Sequence, residues 1–473
     1  MIRHLEALRS RRTDEGFSLV EVVVAMVVLG LLSTGIAAGT TVVARMTSDS
    51  RARQIAVNLA EAKLDEDRGI LDPTKIYAST STQDVSGRTF TVTQTTGLVS
   101  DDGTNITCGS GKTIYYRQIG VQVTWAGMLP TTDPVRSDTI ISPNGRINDA
   151  STGSIAVLVT GSTGTPEAGV SVTVTPVSGT ATALQAQPAS TGPDGCTYAM
   201  GVTPGTYKVS INRSGSVDTV QSPNPSNDAV VVMPGATASV TFSYDEAVNY
   251  DLTYNSAGSG GGAVTLPQSM PVTFLAASGA PYITSKTSAA PTNIALYPFP
   301  AGYTAIAGAE ADTNGNTLCA AEDPAAWPGK TFGSGKNAQT VAQGVRGTAP
   351  ASPGASATLP VPVGAFSLSN LNGLYVYAVA LNAPSTATGQ PDCAAATSGS
   401  GVVFTFPQAT TNATTIFALP YGTYQIYSQT TSYGASRQPV VGSMNLSVSV
   451  PGQNTRSAVS GGNVLTLDPR QKQ

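Results

Sequence analysis

Apolar and polar positions divide the start of the chain into two parts. A charged segment ends at Gly16, and the 28 residues from Phe17 to Ala44 contain one charge, Glu21. A helix needs about 20 consecutive apolar residues to cross a bilayer, so this run predicts a membrane-spanning helix. A carboxylate near the start of such a helix is costly unless it is paired, which marks Glu21 as a functional residue.

The residues after the apolar run continue the helical pattern. Residues 51–68 are rich in Ala, Leu, Glu, Lys and Arg, which are good helix formers. Ile55, Leu59 and Ala62 lie at i, i+4 and i+7, which predicts an apolar stripe packed under a globular head. Gly69 predicts the end of the helix.

Period-2 alternation follows the helix. Residues 89–93 and 119–125 alternate between polar and apolar positions, and residues 135–141 give a third candidate strand. One apolar face per strand is typical of an antiparallel sheet that covers a core, and here the helix supplies the other side of that core. Trp125 is therefore predicted to be a core residue rather than a ligand platform.

A second alternating region predicts further β-units. Alternation at 155–159 and 169–174 leads to Pro204-Gly205-Thr206-Tyr207, and similar turns return at Pro300–Tyr303 and Pro420–Tyr424. Proline fixes the entry φ, glycine turns the chain, and tyrosine starts the next strand with its ring on the core. The recurrence predicts three successive β-units.

Two segments resemble known families. The run G|FSLVEVVVAMVVLGLL, which starts at Gly16, resembles the cleavage and methylation site of type IV prepilins. The resemblance implies that a peptidase cuts after Gly16, that the new N-terminal Phe17 is methylated, and that Glu21 pairs with the terminal amine of a neighbouring subunit. Residues 151–246 resemble the prealbumin-like, carboxypeptidase-regulatory-like sandwiches of bacterial surface proteins.

The expected fold class is α+β followed by all-β. A long N-terminal transmembrane and amphipathic helix packs on a small antiparallel sheet, the pilin head, and tandem β-sandwich modules follow. Alternatively, the last two modules form one composite domain. The predicted divisions are a leader at 1–16, the pilin helix at 17–68 with its membrane part at 17–44, a sheet head at 69–150, and β modules at 151–246, 247–350 and 351–473.

Composition argues against enzymatic and nucleic-acid-binding functions. The only histidine, His4, lies in the leader, so the processed chain has no residue for a Ser-His-Asp or Cys-His arrangement and lacks the commonest metal ligand. The leader carries a net charge of +1 and the rest of the chain about −5, without a basic patch for nucleic acid. Asp312–Asn316 resembles the start of a calcium loop but lacks the glycine position of an EF-hand, so a polar turn is preferred. No enzyme activity, metal or cofactor is expected.

Four cysteines predict two disulfides. Cys108, Cys196, Cys319 and Cys393 are far apart and show no CxxC spacing, which disfavours a zinc site. In an exported chain an even number of cysteines indicates disulfides. Three connectivities are open, and Cys108–Cys196 with Cys319–Cys393 is favoured.

The prepilin resemblance implies a minor type IV pilin, whose bulky modules fit a tip position and project outward for adhesion. Its partners would be other pilins, the prepilin peptidase, the membrane before assembly, and a surface or host-cell ligand. Four leader arginines favour a cytoplasmic N-terminus and an exported C-terminus, followed by assembly into an extracellular pilus. The alternatives are a pseudopilin of a type II secretion system, a surface binding protein with a plain membrane anchor, and a secreted protein cut near Ala37-Ala38.

Overall fold

A computed structural model describes the greater part of the chain, namely residues 18–70, 73–100, 103–112, 114–128, 132–141, 151–256, 264–277, 280–284, 289–309, 323–381, 390–391, 402–432, 445–449 and 456–471. Two compact units divide the chain. The first consists of Met1–Thr107 and Ile114–Ile147, and the second of Cys108–Thr113 and Asn148–Gln473. A short segment of the second unit thus interrupts the first.

The first unit begins with one long helix, α1 (Leu19–Arg68). Ser18 precedes it in extended conformation, and the amide of Gly69 closes the last turn by donating to the carbonyls of Asp65 and Glu66 at 3.2 and 3.1 Å. The predicted helix and its end at Gly69 are therefore confirmed.

The buried face of α1 differs from the predicted stripe. Ala52, Ala56 and Ala60 are buried, whereas Ile55 and Leu59 are half-buried and Ala62 is exposed. The prediction for Ala62 was wrong. Small side chains let the helix lie close to the sheet, and the larger residues pack along the margin of that contact.

The sheet of the first unit covers this alanine face. A 3₁₀ turn (Pro73–Lys75) follows α1, and the strands then run in the order β1-β2-β4-β5, with β3 paired to β2; their bounds are β1 (Ser79–Val85), β2 (Arg88–Ser100), β3 (Asn105–Ile106), β4 (Ile114–Trp125) and β5 (Val135–Ile141). All these pairs are antiparallel. Ile119, Val121 and Val123 are fully buried, which confirms the face predicted from alternation. Trp125 is also a core residue, as expected.

The second unit begins with a two-sheet sandwich. Its strands are β6 (Gly153–Thr160), β7 (Ser171–Ser178), β8 (Cys196–Val202), β9 (Gly205–Asn212), β10 (Ser216–Asp218), β11 (Ser226–Val232) and β12 (Thr237–Glu246). One sheet has the order β10-β12-β6-β8 and the other β11-β9-β7. The β12–β6 pair is parallel over seven residues. Alternate valines and isoleucines of both sheets meet in one core, as the pattern at 155–159 predicts.

The recurring tyrosines occupy equivalent positions. Tyr207, Tyr303 and Tyr424 are buried, and each hydroxyl donates to a backbone carbonyl upstream. Tyr207 reaches the carbonyl of Thr203 at 2.8 Å, and Tyr424 reaches that of Pro420 at 2.9 Å. This arrangement is the tyrosine corner of β-sandwich proteins. The prediction that these rings lie on a core is confirmed.

The remaining strands follow without a linker, since only Ala247 separates β12 from the next strand. The strands are β13 (Val248–Ser256), β14 (Val272–Ala276), β15 (Tyr282–Ile283), β16 (Asn293–Leu296), β17 (Tyr303–Ala307), β18 (Lys330–Phe332), β19 (Gln339–Val341), β20 (Gly347–Ala349), β21 (Ser356–Leu368), β22 (Tyr375–Ala380), β23 (Val403–Thr405), β24 (Thr415–Leu419), β25 (Gly422–Gln429), β26 (Ala458–Ser460) and β27 (Val464–Leu467). Short 3₁₀ turns lie at Pro324–Ala326 and Gly335–Asn337.

Strands from both predicted C-terminal modules share sheets and a core. β13 pairs in parallel with β21, in a sheet of order β16-β13-β21-β24. The other sheets have the orders β15-β14-β17-β20, β18-β19 and β23-β22-β25-β27-β26. One hydrophobic cluster extends from Val248 to Leu467 and includes residues on both sides of position 350. These contacts join the strands of the two predicted modules into one composite body. A composite domain was the alternative that the sequence left open.

Candidate functional site

The first 28 residues of α1 carry their apolar side chains on the outside. Leu19 is 81% exposed, and none of the residues from Ser18 to Thr47 is buried in the chain. By length and composition, α1 is the one helix of the described residues that can cross a membrane. At about 1.5 Å per residue, the helical part of the apolar run, residues 19–44, extends about 39 Å, more than the roughly 30 Å of a bilayer core.

Glu21 lies in the first turn of this exposed segment. Its amide donates to the carbonyl of Ser18 at 2.9 Å, and its carboxylate is the acidic group of the helix N-terminal turn. A negative charge is favourable at this end of a helix dipole. Among the described residues no cation pairs with the Glu21 carboxylate. An unpaired carboxylate is unfavourable in an apolar environment, so a cation from another molecule would stabilise it there.

The second half of α1 is fixed to the head by packing and by polar contacts. The Trp125 indole donates to Oδ1 of Asp49 at 2.9 Å, and the Thr132 hydroxyl donates to Oδ2 at 3.1 Å. The guanidinium of Arg88 donates to the Ser48 hydroxyl at 2.9 Å. These contacts begin where the exposed segment ends, so one continuous helix joins an apolar rod to a packed head.

A buried carboxylate lies near the other end of this contact. Asp67 is 1% exposed, and its Oδ1 lies 3.4 Å from Nζ of Lys63. Burial raises the pKa of Asp67, and Lys63 counteracts only part of that rise. Its Oδ2 and the Oε1 of Gln94 are both buried without a hydrogen-bond partner. The polar layer under this end of α1 is therefore incompletely satisfied.

A disulfide fixes the segment that interrupts the first unit. Cys108 and Cys196 are bonded, with Cα atoms 6.2 Å apart and a sequence separation of 88. The Ser239 hydroxyl donates to the Cys108 carbonyl at 2.9 Å, and a Cβ at Gly109 would approach the Leu158 side chain to 2.7 Å. Both cysteines are buried in the second unit. This bond is the first of the two that the sequence favoured.

Several predicted site residues lie outside the described residues, namely Gly16, Phe17, Cys319, Cys393 and the turn Asp312–Asn316. The structure therefore leaves the cleavage and methylation site and the second disulfide as predictions. Among the described residues, no group of three or more His, Cys, Asp and Glu side chains can hold a metal ion.

Sequence reasoning missed two features of this region. Asp49 is one acidic residue in a polar helical stretch, and only its distance to Trp125 reveals its role. The segment 108–113 reads as a turn between strands, and its place in the second unit depends on contacts with residues far away in sequence. A cysteine within a polar turn was the available signal.

Comparison with known proteins identifies the N-terminal segment. Residues 11–37 match the model of the prokaryotic N-terminal methylation motif. This match supports a pilin-type subunit. No curated protein matches the chain.

Several solved structures are similar to the chain at low identity. The Bacillus anthracis TIE protein is 10% identical, with 79% of this chain and 73% of that chain covered and a TM-score of 0.17. A streptococcal ancillary pilin is 10% identical, with 52% and 75% covered and a TM-score of 0.18. BcpA, the major pilin subunit of Bacillus cereus, is 11% identical, with 67% and 92% covered and a TM-score of 0.17.

Proposed function

We propose that this chain is a minor type IV pilin that sits at the filament tip and carries β modules for adhesion. The observation that carries the proposal is α1 itself. Its N-terminal half is exposed and apolar, with Glu21 in the first turn, and its C-terminal half is packed on a sheet. The methylation motif at 11–37 overlaps this apolar half.

In this proposal the N-terminal residues act in assembly. A prepilin peptidase cuts after Gly16, Phe17 becomes the methylated N-terminus, and Glu21 pairs with the terminal amine of a neighbouring pilin. Pairing removes the cost of an isolated carboxylate in an apolar environment, which insertion scales put at about 3 kcal/mol for comparable charges. The same apolar face holds the chain in the membrane before assembly, with the leader in the cytoplasm and the C-terminus outside.

Size supports the tip position. The second unit contributes more than 300 residues beyond the head, and only Ala247 separates its sandwich from the following strands. A filament built wholly from such a chain would be crowded, whereas a tip or sparse subunit has room for it. Loops on rigid β scaffolds are common binding elements, which supports an adhesive role toward a surface or host-cell ligand.

The first experiment is mass spectrometry of the N-terminus of the chain recovered from cells. We expect a methylated Phe17 at the start. A chain that begins beyond Ala38, or that still carries Met1, would contradict the pilin assignment. Immunogold electron microscopy then separates a surface pilus from a secretion pseudopilus, because only the pilus places label on extended surface filaments, at their ends if the tip position holds.

A matched pair of variants tests the role of Glu21. We expect Glu21→Ala to abolish incorporation into filaments while membrane insertion persists, because the subunit loses its partner for the neighbouring amine. Glu61→Ala is the control, since Glu61 is an exposed glutamate on the same helix but beyond the apolar segment. Unchanged incorporation of Glu21→Ala would remove the proposed pairing and favour a plain membrane anchor.

A further inference from the structure

A cavity of about 260 Å³ lies beside the sheet that contains β22, β23 and β25. Its walls include Gln268, Tyr375, Tyr377, Thr405 and Ser432. The volume corresponds to about nine water molecules at about 30 Å³ each, and it is just below the range of about 300–1,000 Å³ for drug-sized ligands. The cavity therefore fits a ligand of roughly one ring.

The wall offers hydrogen-bonding groups that the other described residues do not use. Gln268 supplies an amide, and Tyr375, Thr405 and Ser432 supply hydroxyls. Within the described residues, none of these four side chains makes a hydrogen bond to the protein. Both donors and acceptors are available, since an amide and a hydroxyl can each play either part.

Position and rigidity are provided by the strands behind the cavity. Tyr377 stacks on Tyr427 across the β22–β25 pair, with ring centroids 5.2 Å apart and planes 9° apart. The amide of Gln429 donates to the carbonyl of Ser432 at 3.0 Å and so holds that residue beside the cavity. The Oε1 of Gln429 is buried without a hydrogen-bond partner. The backbone of Gln268 is fixed by donation of its amide to the Thr405 carbonyl at 2.7 Å.

Among the described residues, those that line the cavity carry no charge at neutral pH, because they are tyrosines, an amide, hydroxyls and apolar side chains. An anionic or cationic ligand would lose hydration without gaining a counter-charge from these residues. A neutral ligand with several hydroxyls would instead satisfy the free groups. Tyr375 is a half-buried residue of the wall, and its ring has a face of negative electrostatic potential, which suits the weakly positive C–H face of such a ligand.

We propose that this cavity binds one neutral sugar ring of a glycan, with Tyr375 beneath the ring and Gln268, Thr405 and Ser432 bonded to its hydroxyls. The proposal names a ligand class for the adhesive role. Only the link between sugar binding and adhesion rests on the proposed function. The binding itself is a property of the second unit and does not depend on filament assembly.

The test uses the purified full-length chain on a printed array of oligosaccharides that end in neutral glucose, galactose or mannose, or in sialic acid. We expect binding to one neutral group, with Tyr375→Ala and Gln268→Ala each weakening it about tenfold through lost stacking and hydrogen bonds. Tyr375→Phe keeps the ring and is expected to bind within about threefold of the parent. Tyr116→Ala, at a half-buried tyrosine of the head, is the control and is expected to bind like the parent.

Three outcomes would overturn the proposal. They are no binding to any neutral sugar, a preference for the sialylated probes, or retention of binding by a folded Tyr375→Ala chain. The proposed function fails separately: a chain that binds sugar but is absent from filaments would reject the pilin role and leave the sugar site standing. A chain that is found in filaments but binds no neutral sugar would reject the sugar site and leave the pilin role standing.

Discussion

Removal of the Cys108–Cys196 disulfide by the double change Cys108→Ala/Cys196→Ala is expected to destabilise the sandwich at residues 151–246. The bond closes a loop with a sequence separation of 88 residues. In the chain-entropy model, a loop of that length restricts the unfolded state by about 4–5 kcal/mol at 25 °C, and native disulfides in small domains are worth about 2–5 kcal/mol. We therefore expect a loss within this range.

Hydrogen exchange on the full chain can measure this loss locally. The free energy of opening is read from amides of β6 and β9, whose strands lie in the two sheets of the sandwich. The double variant is expected to exchange faster there by a factor that corresponds to several kcal/mol. Amides of β22 and β25, which belong to the separate C-terminal core, are expected to keep their protection.

Two controls separate the loop effect from other causes. Reduction of the unchanged chain should lower protection of the sandwich in the same way without deleting a side chain. Cys319→Ala/Cys393→Ala removes the other two cysteines and should leave the sandwich unaffected. A loss below about 1 kcal/mol in the Cys108→Ala/Cys196→Ala chain would refute the loop-closure reasoning.

Three further substitutions test buried polar groups. Asp67→Asn should raise the free energy of unfolding at neutral pH by about 1 kcal/mol. Because burial raises the folded pKa of Asp67, this carboxylate lowers the stability of the parent as pH rises from the unfolded pKa through the folded one. Urea unfolding at a series of pH values should therefore show that the stability advantage of Asp67→Asn over the parent grows across this range. Tyr424→Phe leaves the Pro420 carbonyl without its donor and should cost about 1–2 kcal/mol, measured by thermal unfolding with the circular-dichroism signal of the β strands. Asp468→Ala removes the carboxylate that binds the fully buried Arg470 and should cost about 3–5 kcal/mol in the C-terminal core, measured by hydrogen exchange; a change below about 1 kcal/mol would contradict a stabilising role of this ion pair.

Local patterns in the sequence predict the elements of this chain well. The end of α1 at Gly69 follows from composition and a glycine, and the buried face of β4 follows from strict alternation at Ile119, Val121 and Val123. The burial of the tyrosine rings was predictable because proline, glycine and tyrosine act within a few residues of one another, whereas the hydrogen bonds of their hydroxyls were not predicted. In each case the physical cause lies inside a short window.

Features that depend on distant partners were not predictable in this way. The stripe on α1 was assigned to Ile55, Leu59 and Ala62 by their i, i+4, i+7 spacing, but the helix approaches the sheet through Ala52 and Ala56 instead. Alanine forms a contact surface only when the opposing surface has the matching shape. The shape of the sheet surface opposite α1 cannot be read from the residues of the helix. The parallel pairings β12–β6 and β13–β21 also join strands that are far apart in sequence.

Connectivity between the two units has a mechanical consequence. The chain passes from one unit to the other after Thr107, after Thr113 and after Ile147. The segment between the first two passages is anchored at Cys108 by the bond to Cys196. Residues 108–196 thus form a closed covalent ring. The chain enters this ring at Cys108 and leaves it at Cys196, and these two residues are bonded directly to each other. Tension applied to the two ends of the chain is therefore transmitted through the sulfur atoms and not through the residues between the two cysteines. Strands β4 to β7 lie within the ring, so they bear no stretching load along the backbone while the disulfide is intact.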